Sequence, residues 1–512
     1  MKSAHDISRR EFLSLAAAAG GALALGGCAA STAISLEQAS AGLRDLPYRG
    51  LATSLPEERS YRPTVEGRLP AGLTGTLYRN GPALFDRDGR RKRIILDGDG
   101  MVQRFHFGPQ GVNYANRFVR TPKFREEATA GRFLYPSWST EAPGGMFANL
   151  MGPGRLRSQA AVTVFMIDGR LFAFDEFAYP FELDPVTLET LGESTLGLER
   201  SATIYCAHGK RDPASGVWYF FGIWYGANPT LHLSVIGPDA RPLGHRALPM
   251  PRFCYLHDWF VGPRHLLLSL QPVEIDVWPA LFGLRSVYDC LRWRPEKGNL
   301  LVLLPRDLSG EALFMEAPAR FMWHTVNCFE AGGELVADFV GYDDPRFFVG
   351  PDPVVRALME GREGEIGSPG LLRRYRIDPA ARRVREEVLA NGRLEWPRID
   401  ERQRCGRHSA VYLADGREGA FFWTRTVRID MVGGGEERYD FGPGVYSSEP
   451  VFVPRPGGGP DDGWLLVEGL DGASQRSFLA VFDARHLADG PLAVVRLEHH
   501  VPFSYHGWWV AA

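Results

Sequence analysis

Several features are scarce in this chain of 512 residues, and each scarcity excludes a class of protein. There are only six cysteines, and none forms a Cys-x-x-Cys pair, which argues against a disulfide framework, a zinc ribbon or an iron–sulfur cluster. The net charge is −3, so there is no electrostatic reason to expect nucleic acid as a partner. Sustained helical periodicity is also missing, although Pro279–Val287 and Pro353–Glu360 fit short helices.

Turn-forming and aromatic residues are abundant, and their arrangement predicts an all-β fold. The chain contains 58 glycines and 37 prolines, and 12% of its residues are aromatic. Short apolar runs alternate with turns, as where Asp168-Gly169-Arg170 separates the run 161–167 from the run 171–175. Because closure removes exposed strand edges, we expect residues 61–512 to form one closed domain of about seven four-stranded blades, a β-propeller.

The N-terminal segment has the pattern of an export signal. Arg9-Arg10 precedes the charge-free, Ala/Gly-rich run Leu15–Gly27, which is typical of a Tat-type signal over residues 1–27. The stretch 25–28 resembles a lipobox in which Cys28 is lipidated, and a plain small-residue cleavage site beside a cysteine is the alternative. Residues 28–60 are polar and irregular and predict a tether. The expected location is periplasmic or extracytoplasmic, with a membrane anchor at Cys28.

Four histidines stand in similar apolar or aromatic surroundings at widely separated positions. They are His208, His257, His324 and His506, separated by 49, 67 and 182 positions. A buried histidine needs a partner for both ring nitrogens, so four of them indicate a shared metal ion. Four separately satisfied core histidines are the alternative. A propeller would bring such distant residues together, because each can stand at the inner end of a different blade.

Several motifs in chain order resemble the carotenoid cleavage oxygenase family. The resemblance runs from about residue 60 to the C-terminus and is carried by the stretches 75–82, 96–102, 114–121, 182–190, 449–456 and 501–508. It implies a seven-bladed propeller with a roof of loops and a short helix, and one Fe(2+) per chain held on the axis by His208, His257, His324 and His506. Gly209 stands where many relatives have proline, and Tyr505 replaces a frequent phenylalanine.

The resemblance also places three glutamates, Glu176, Glu395 and Glu449, behind the ligand histidines. The chemistry requires such residues, because a ligating imidazole donates its second N–H, and a carboxylate acceptor orients the ring. A surface glutamate beside a strand is the ordinary alternative for each of them.

The reaction implied by the resemblance is oxidative cleavage of a carbon–carbon double bond by O₂ to give two carbonyl products. The expected partners are O₂ and a lipophilic alkene, favouring a carotenoid or apocarotenoid, and no reductase, since the sequence lacks a dinucleotide-binding loop. Stilbene cleavage is the rival within the family. It would use a lysine and a tyrosine on the phenol, and Lys123 and Tyr135 lie in the corresponding region.

Two functions other than double-bond cleavage are compatible with the same motifs. One is an iron- or lipid-binding propeller without turnover, and the second is isomerisation coupled to ester cleavage.

The apolar stretch Val277–Leu284 fits either the membrane-facing roof or an ordinary buried helix.

Overall fold

Strands dominate the computed structural model, which describes residues 33–141, 157–176, 178–200, 203–225, 228–281, 284–364 and 366–512. Strands contain 45% of the residues and helices 9%, which confirms the all-β prediction. The signal 1–27 and Cys28 lie outside the described residues.

The described strands fall mainly into seven antiparallel groups, which we name sheets 1 to 7. Sheets 1 to 4 consist, in spatial order, of Ser60–Tyr61, Gly111–Phe118, Asp99–Gly108, Gly75–Leu84 and His506–Ala511; of Thr190–Glu193, Phe181–Leu183, Arg170–Phe174 and Thr163–Ile167; of Lys210–Arg211, Trp218–Trp224, Thr230–Ile236 and Pro242–Pro249; and of Phe260–Val261, His265–Leu270, Asn299–Pro305 and Leu313–Ala317. Sheets 5 to 7 consist of Thr325–Ala331, Glu334–Gly341, Leu371–Asp378 and Arg383–Ala390; of Leu394–Arg398, Ala410–Gly416, Trp423–Asp430 and Glu436–Asp440; and of Val445–Pro454, Gly463–Asp471, Arg476–Asp483, Ala493–Arg496 and Thr64–Gly67. Backbone pairing links sheets 6 and 7 through Trp423 and Ser447, and the strand Val445–Pro454 also packs against the inner strands of sheet 6. Seven groups agree in number with the predicted blades, and the blade count of a closed ring stays a prediction.

The N-terminal and C-terminal ends of the domain are joined by pairing of their strands. The C-terminal strand His506–Ala511 pairs with Gly75–Leu84 in sheet 1, and the early strand Thr64–Gly67 pairs with Ala493–Arg496 in sheet 7. Residues separated by more than 400 positions therefore share backbone hydrogen bonds. This pairing places His506, the first residue of its strand, next to the N-terminal part of the domain.

Local sequence explains the strand and turn pattern. Strand Gly463–Asp471 is buried along almost its whole length and is mainly apolar apart from Glu468, whereas the outer strand Arg383–Ala390 is partly exposed and rich in charge. The predicted hairpin turn is confirmed, because Asp168 and Gly169 both have positive φ, 51° and 69°, and Ile167 pairs with Arg170.

Short elements outside the sheets cover parts of the domain. The described helices are Leu36–Leu43, Pro122–Ala130, Val277–Leu281 and Val354–Ala357, with 3₁₀ turns at Arg49–Ala52, Tyr288–Cys290, Pro295–Lys297, Leu358–Glu360, Glu401–Gln403 and Leu487–Asp489. Small strands are Ile34–Ser35, Asp86–Arg87, Arg90–Arg91, Val273–Ile275 and Leu291–Trp293. Within the described ranges, every helix is too short or too polar to cross a bilayer.

The segment expected as a tether is a folded part of the domain from residue 33 onward, so that prediction was wrong there. Ser35 caps the helix Leu36–Leu43, and Leu43 and Leu51 are buried in the largest apolar cluster. The backbone N–H of Phe503 donates to the carbonyl of Leu51 at 2.9 Å. This segment therefore supports the chain that leads to His506, and the polar residues that suggested a tether lie on its outer face.

Candidate metal centre

The four histidines meet in one buried cluster. Their potential ligand atoms all lie within 4.8 Å of one another. The Nε2 atoms of His208 and His257 are 2.9 Å apart, and the ring centroids of His324 and His506 are separated by 4.8 Å. All four rings are buried, with exposed fractions between 4% and 9%. We refer to this group as the four-histidine cluster.

Each of the seven sheets supplies one residue to the cluster or to its carboxylate surroundings. His208, His257 and His324 stand just before the first strands of sheets 3, 4 and 5, and His506 begins its strand in sheet 1. The glutamates come from the remaining three sheets: Glu176 follows a strand of sheet 2, and Glu395 and Glu449 lie in the first strands of sheets 6 and 7. Convergence of seven sheets explains how residues so far apart in sequence form one site.

Each predicted glutamate contacts a different histidine through its Nδ1 atom. Glu395 Oε2 lies 2.5 Å from Nδ1 of His324, and Glu449 Oε1 lies 2.8 Å from Nδ1 of His506. Glu176 Oε1 forms the same contact with Nδ1 of His257. A carboxylate accepts only, so these contacts place the ring proton on Nδ1 and leave the Nε2 lone pairs pointing into the cluster.

His208 differs from the remaining three histidines, because none of the described glutamates contacts its Nδ1 atom. The nearest carboxylate oxygen is Oδ1 of Asp258, 3.9 Å from Nδ1, beyond hydrogen-bond distance. Asp258 instead accepts from Lys210 at 2.6 Å and from the backbone and hydroxyl of Thr325 at 2.8 Å. Neither Asp258 nor Lys210 was predicted from the sequence, although Asp258 directly follows a predicted ligand.

Burial and neighbouring charges shift the pKa values of residues in and around the cluster. Burial, together with His257 and His506, holds the pKa of His208 well below its usual range. Burial also lowers the pKa of His506 to about 3, against the opposing effect of Glu449. At His257 burial favours the neutral ring, but Glu176 outweighs it and raises the pKa. Burial alone would raise the pKa of Glu449, yet Arg398 and His506 lower it to about 2.

The cluster fits a divalent metal ion on its own geometry. Nε2 of His324 is buried without a hydrogen-bond partner among the described residues, and converging lone pairs repel one another unless a cation lies between them. Two imidazole nitrogens bound side by side at about 2.1 Å from one metal would lie roughly 3 Å apart, close to the separation of His208 and His257. Neutral imidazoles suit iron, zinc, copper and nickel alike.

A cavity opens onto one side of the cluster. Its volume is about 1040 Å³ including its open mouth, and His257, His324 and His506 line it. His208 is not among the lining residues, so the accessible side of the cluster is the side opposite His208. The remaining wall is mainly aromatic and includes Trp138, Tyr255, Trp323, Trp396, Phe421, Trp423, Phe503 and Tyr505. We call this space the aromatic cavity.

A short polar strip interrupts the aromatic wall. It consists of Arg157, Ser158, Gln159, Asp175 and Glu176. Burial raises the pKa of Asp175 to about 6, although the backbone N–H groups of Gln159 and Glu176 donate to its carboxylate. Apart from Glu176, sequence reasoning missed this strip and the aromatic wall, since neither has regular spacing. Four of these residues nevertheless adjoin a predicted site residue in the chain: Asp175, Trp323, Trp396 and Tyr505.

The residues considered for phenol binding are not among the described residues that line the aromatic cavity. Lys123 is fully buried, and its Nζ donates to Asp99 at 2.7 Å and to Glu127 at 3.0 Å. Tyr135 is also buried, with Arg157 over its ring. Neither side chain is among the described residues that line the cavity, so Lys123 is a structural ion-pair residue.

The two departures from the family pattern have local explanations. Gly209 packs against Phe220, where a Cβ atom would come within 2.3 Å of the ring. The Tyr505 hydroxyl donates to the carbonyl of Ile95 at 3.0 Å. In the stretch 277–284, the helix Val277–Leu281 is followed by residues outside the described part, and Trp278 and Leu284 are more than half exposed.

Comparisons with known proteins agree with the geometry. The family model described as retinal pigment epithelial membrane protein matches residues 51–511. Apocarotenoid-15,15'-oxygenase of Synechocystis sp. is 32% identical over 489 residues, covering 89% of this chain and 98% of that protein. Lignostilbene-alpha,beta-dioxygenase isozyme III of Sphingomonas paucimobilis is 26% identical, covering 88% and 93%.

Solved structures give the same result. A Synechocystis apocarotenoid oxygenase variant superimposes with a TM-score of 0.85 at 31% identity, over 91% of this chain and 98% of that chain. The cobalt-substituted form of the Synechocystis oxygenase superimposes with a TM-score of 0.84. The family match over most of the chain, together with these similarities, confirms the resemblance, and the chain belongs to the carotenoid cleavage oxygenase family that the retinal pigment epithelial membrane protein model describes.

Proposed function

We propose that this protein is a dioxygenase that holds one Fe(2+) in the four-histidine cluster and cleaves a carbon–carbon double bond of a carotenoid or apocarotenoid. The observation that carries the proposal is the cluster of four buried imidazoles, three of them oriented by glutamates, which opens onto the aromatic cavity. The relatives named as oxygenases and dioxygenases support the same class.

The proposed reaction balances without an external reductant. The alkene C=C bond and the O–O bond break, and two C=O bonds form, so that each product carries one oxygen atom. When bound, iron would supply a site at which O₂ is activated next to an electron-rich alkene. Four neutral imidazoles would not neutralise the charge of the ion, because the carboxylates of Glu176, Glu395 and Glu449 contact the Nδ1 atoms and not the centre of the cluster.

The side chains have separate tasks in this proposal. His257, His324 and His506 hold the ion on the cavity side, and His208 holds it from behind. Glu176, Glu395 and Glu449 keep the Nδ1 protons in place, so the Nε2 atoms remain ligands. The aromatic wall excludes water and packs against a flat, conjugated chain.

An apocarotenoid is favoured over a stilbene. The Synechocystis oxygenase is more similar to this chain than the lignostilbene dioxygenase, with 32% against 26% identity. Lys123, the lysine considered for ionising a phenol, is occupied by Asp99 and Glu127. A proposal of stilbene cleavage would need a different residue to bind the phenol.

The test is turnover of anaerobically purified, ferrous-loaded protein with an apocarotenoid panel and a hydroxystilbene panel. We expect paired aldehydes from the apocarotenoids, and with ¹⁸O₂ one label in each product when the aldehydes are reduced to alcohols at once. Label in only one product would contradict a dioxygenase, and rearranged products without label would indicate isomerisation. Stoichiometric iron without any product would favour a binding protein.

We further propose that the chain is exported by the Tat route and held at a membrane surface through Cys28. The twin arginine at positions 9 and 10 and the stretch 25–28 support this proposal. Exchange of both arginines for lysine is expected to keep the protein in the cytoplasm. Cys28→Ala is expected to release the exported protein into the soluble periplasmic fraction, and retention in the membrane would contradict the lipid anchor.

A further inference from the structure

The residues just after three of the four predicted ligands meet beside the four-histidine cluster. They are Lys210, Asp258 and Thr325, which lie two, one and one positions after the first, second and third histidine. All three are buried, with exposed fractions of 7%, 2% and 5%. None of them is among the described residues that line the aromatic cavity. We call this group the Asp258 network, and it lies where it can support the ligands without forming part of the described cavity wall.

The carboxylate of Asp258 accepts hydrogen bonds from both neighbouring segments. Its Oδ1 accepts from Nζ of Lys210 at 2.6 Å, and its Oδ2 accepts from the backbone N–H and the hydroxyl of Thr325, each at 2.8 Å. Lys210 also donates to the Thr325 hydroxyl at 3.0 Å. Hydrogen bonds to an ionised group are shorter and stronger than those between neutral groups. The three segments that carry His208, His257 and His324 are therefore tied to one carboxylate.

His208 is held through its main chain, because none of the described glutamates contacts its Nδ1 atom. The carbonyl of His208 accepts from the indole Nε1 of Trp259 at 2.9 Å, and the backbone N–H of Trp259 donates to Oδ1 of Asp258 at 2.8 Å. On its C-terminal side, His208 is followed two residues later by Lys210, which donates to the same oxygen. Both connections from His208 therefore end at Asp258.

The three connected histidines stand close together. The ring centroid of His208 lies 4.4 Å from that of His257 and 5.4 Å from that of His324, and the last two are 5.3 Å apart. Buried ring nitrogens that face one another without an ion are unfavourable, so the surrounding structure has to hold them in place. A site that is already arranged binds more tightly, because its ligands need not be ordered at the moment of binding.

We propose that Asp258 is a positioning residue whose network fixes the segments of the first three histidines relative to one another before the metal ion binds. This inference rests on the metal centre of the proposed function and adds a fourth carboxylate to it. Glu176, Glu395 and Glu449 act on the imidazole rings, whereas Asp258 acts on the segments that carry the rings.

The first variant is Asp258→Asn. Asparagine has only one acceptor oxygen, so its amide group would face the donors of Lys210 and Trp259 on one side or the N–H of Thr325 on the other. Competition with a chelator, measured on the folded protein, is expected to show a fall in iron affinity of about 10- to 100-fold. The absorption spectrum of the cobalt(II)-substituted protein is expected to change as well, which a loss of stability alone would not cause.

A pair of milder variants repeats the test in case Asp258→Asn does not fold. Thr325→Val removes the hydroxyl from the network and keeps the backbone N–H, whereas Thr325→Ser keeps both groups. Loss of one net hydrogen bond is expected to lower the iron affinity of Thr325→Val about tenfold. Thr325→Ser is expected to restore an affinity within about twofold of the wild-type value, because both donors to Asp258 are present again.

Two lysine variants separate positioning from the general loss of a buried ion pair. Lys210→Met is expected to weaken iron binding about tenfold, and the double variant with Asp258→Asn to lose no more than Asp258→Asn alone, because Lys210 acts through Asp258. Lys123→Met is the matched control, since Lys123 is also buried and lies 2.7 Å from a carboxylate, that of Asp99. It is expected to keep the wild-type iron affinity and cobalt spectrum.

Several outcomes would overturn the inference. Unchanged iron affinity in Asp258→Asn, equal affinities in Thr325→Val and Thr325→Ser, or the same loss of affinity in Lys123→Met would exclude a positioning role and leave the dioxygenase proposal intact. Wild-type protein that binds iron without cleaving any substrate would contradict the proposed function alone, because affinity and spectrum still test Asp258. Wild-type protein that binds neither iron nor cobalt would refute both.

Discussion

Exchanging Glu449 for glutamine tests how the carboxylates orient the metal ligands. Both oxygens of Glu449 accept hydrogen bonds, Oε1 from Nδ1 of His506 at 2.8 Å and Oε2 from the backbone N–H of Gly507 at 2.7 Å. A glutamine has only one acceptor oxygen, so its amide nitrogen must face one of these two donors. Arg398, 3.7 Å away, also loses its counter-charge.

Glu395 provides a matched comparison, because one of its oxygens accepts both hydrogen bonds. Its Oε2 lies 2.5 Å from Nδ1 of His324 and also accepts from the backbone N–H of Trp396 at 2.5 Å. A glutamine oxygen in that position can keep both hydrogen bonds. Oε1 meets no N–H donor in the described structure, and the nearby Tyr342 carries a hydroxyl that can also accept, so the new amide group would not oppose an N–H.

The expected losses follow from this difference. A buried donor left unpaired costs about 1–3 kcal/mol, and disturbance of a residue behind a metal ligand lowers metal affinity or activity roughly 10- to 100-fold. We expect Glu449→Gln to weaken iron binding about 10- to 100-fold and Glu395→Gln clearly less, near the lower end of that range. Competition with a chelator gives the iron affinity, and the absorption spectrum of the cobalt(II)-substituted protein reports the ligand geometry. Equal losses in the two variants, or a larger loss in Glu395→Gln, would refute the reasoning.

Three further predictions concern the ligands, the ion pairs and the N-terminal segment. His257→Ala is expected to abolish iron binding and turnover. The control is His106→Ala, which should keep both, because His106 lies outside the cluster and contacts Thr76. Iron at one per chain in His257→Ala would contradict the site. Lys123→Met is expected to lower the free energy of unfolding by about 3 kcal/mol, because Asp99 and Glu127 stay buried and Arg87 pairs closely with only Asp99. Substrate preference should not change. A switch in preference between apocarotenoid and stilbene would contradict the structural role of Lys123. Leu43→Ala is expected to lower the free energy of unfolding, measured by chemical denaturation, by about 2–5 kcal/mol, as for a core leucine. Leu191→Ala is the neutral control, because Leu191 is 60% exposed. A loss within about 0.5 kcal/mol for Leu43→Ala would mean that the N-terminal segment is a tether after all.

Local sequence predicted the all-β class, and local motifs together with the family resemblance predicted the histidines and glutamates of the candidate metal centre. The alternation of apolar runs and turns is a local property, so the hairpin at Asp168-Gly169 was predictable. His208, His257, His324 and His506 were recognisable because each stands in a motif, and the glutamates Glu176, Glu395 and Glu449 were placed through the family resemblance. Helix formation at Leu36–Leu43 was missed, since its short apolar face becomes clear only once it packs against the domain.

Only the tertiary structure decided how these residues combine. The pairing of Glu176 with His257, Glu395 with His324 and Glu449 with His506 depends on which sheets are neighbours around the cluster, and sequence distance carries no such information. The same is true of His208, whose Nδ1 lies 3.9 Å from Asp258 and contacts no glutamate in the described part of the chain. The aromatic cavity arises where residues from several sheets and their connections meet. Residue type alone does not show which polar atoms lack a partner, because a partner is a matter of position in space.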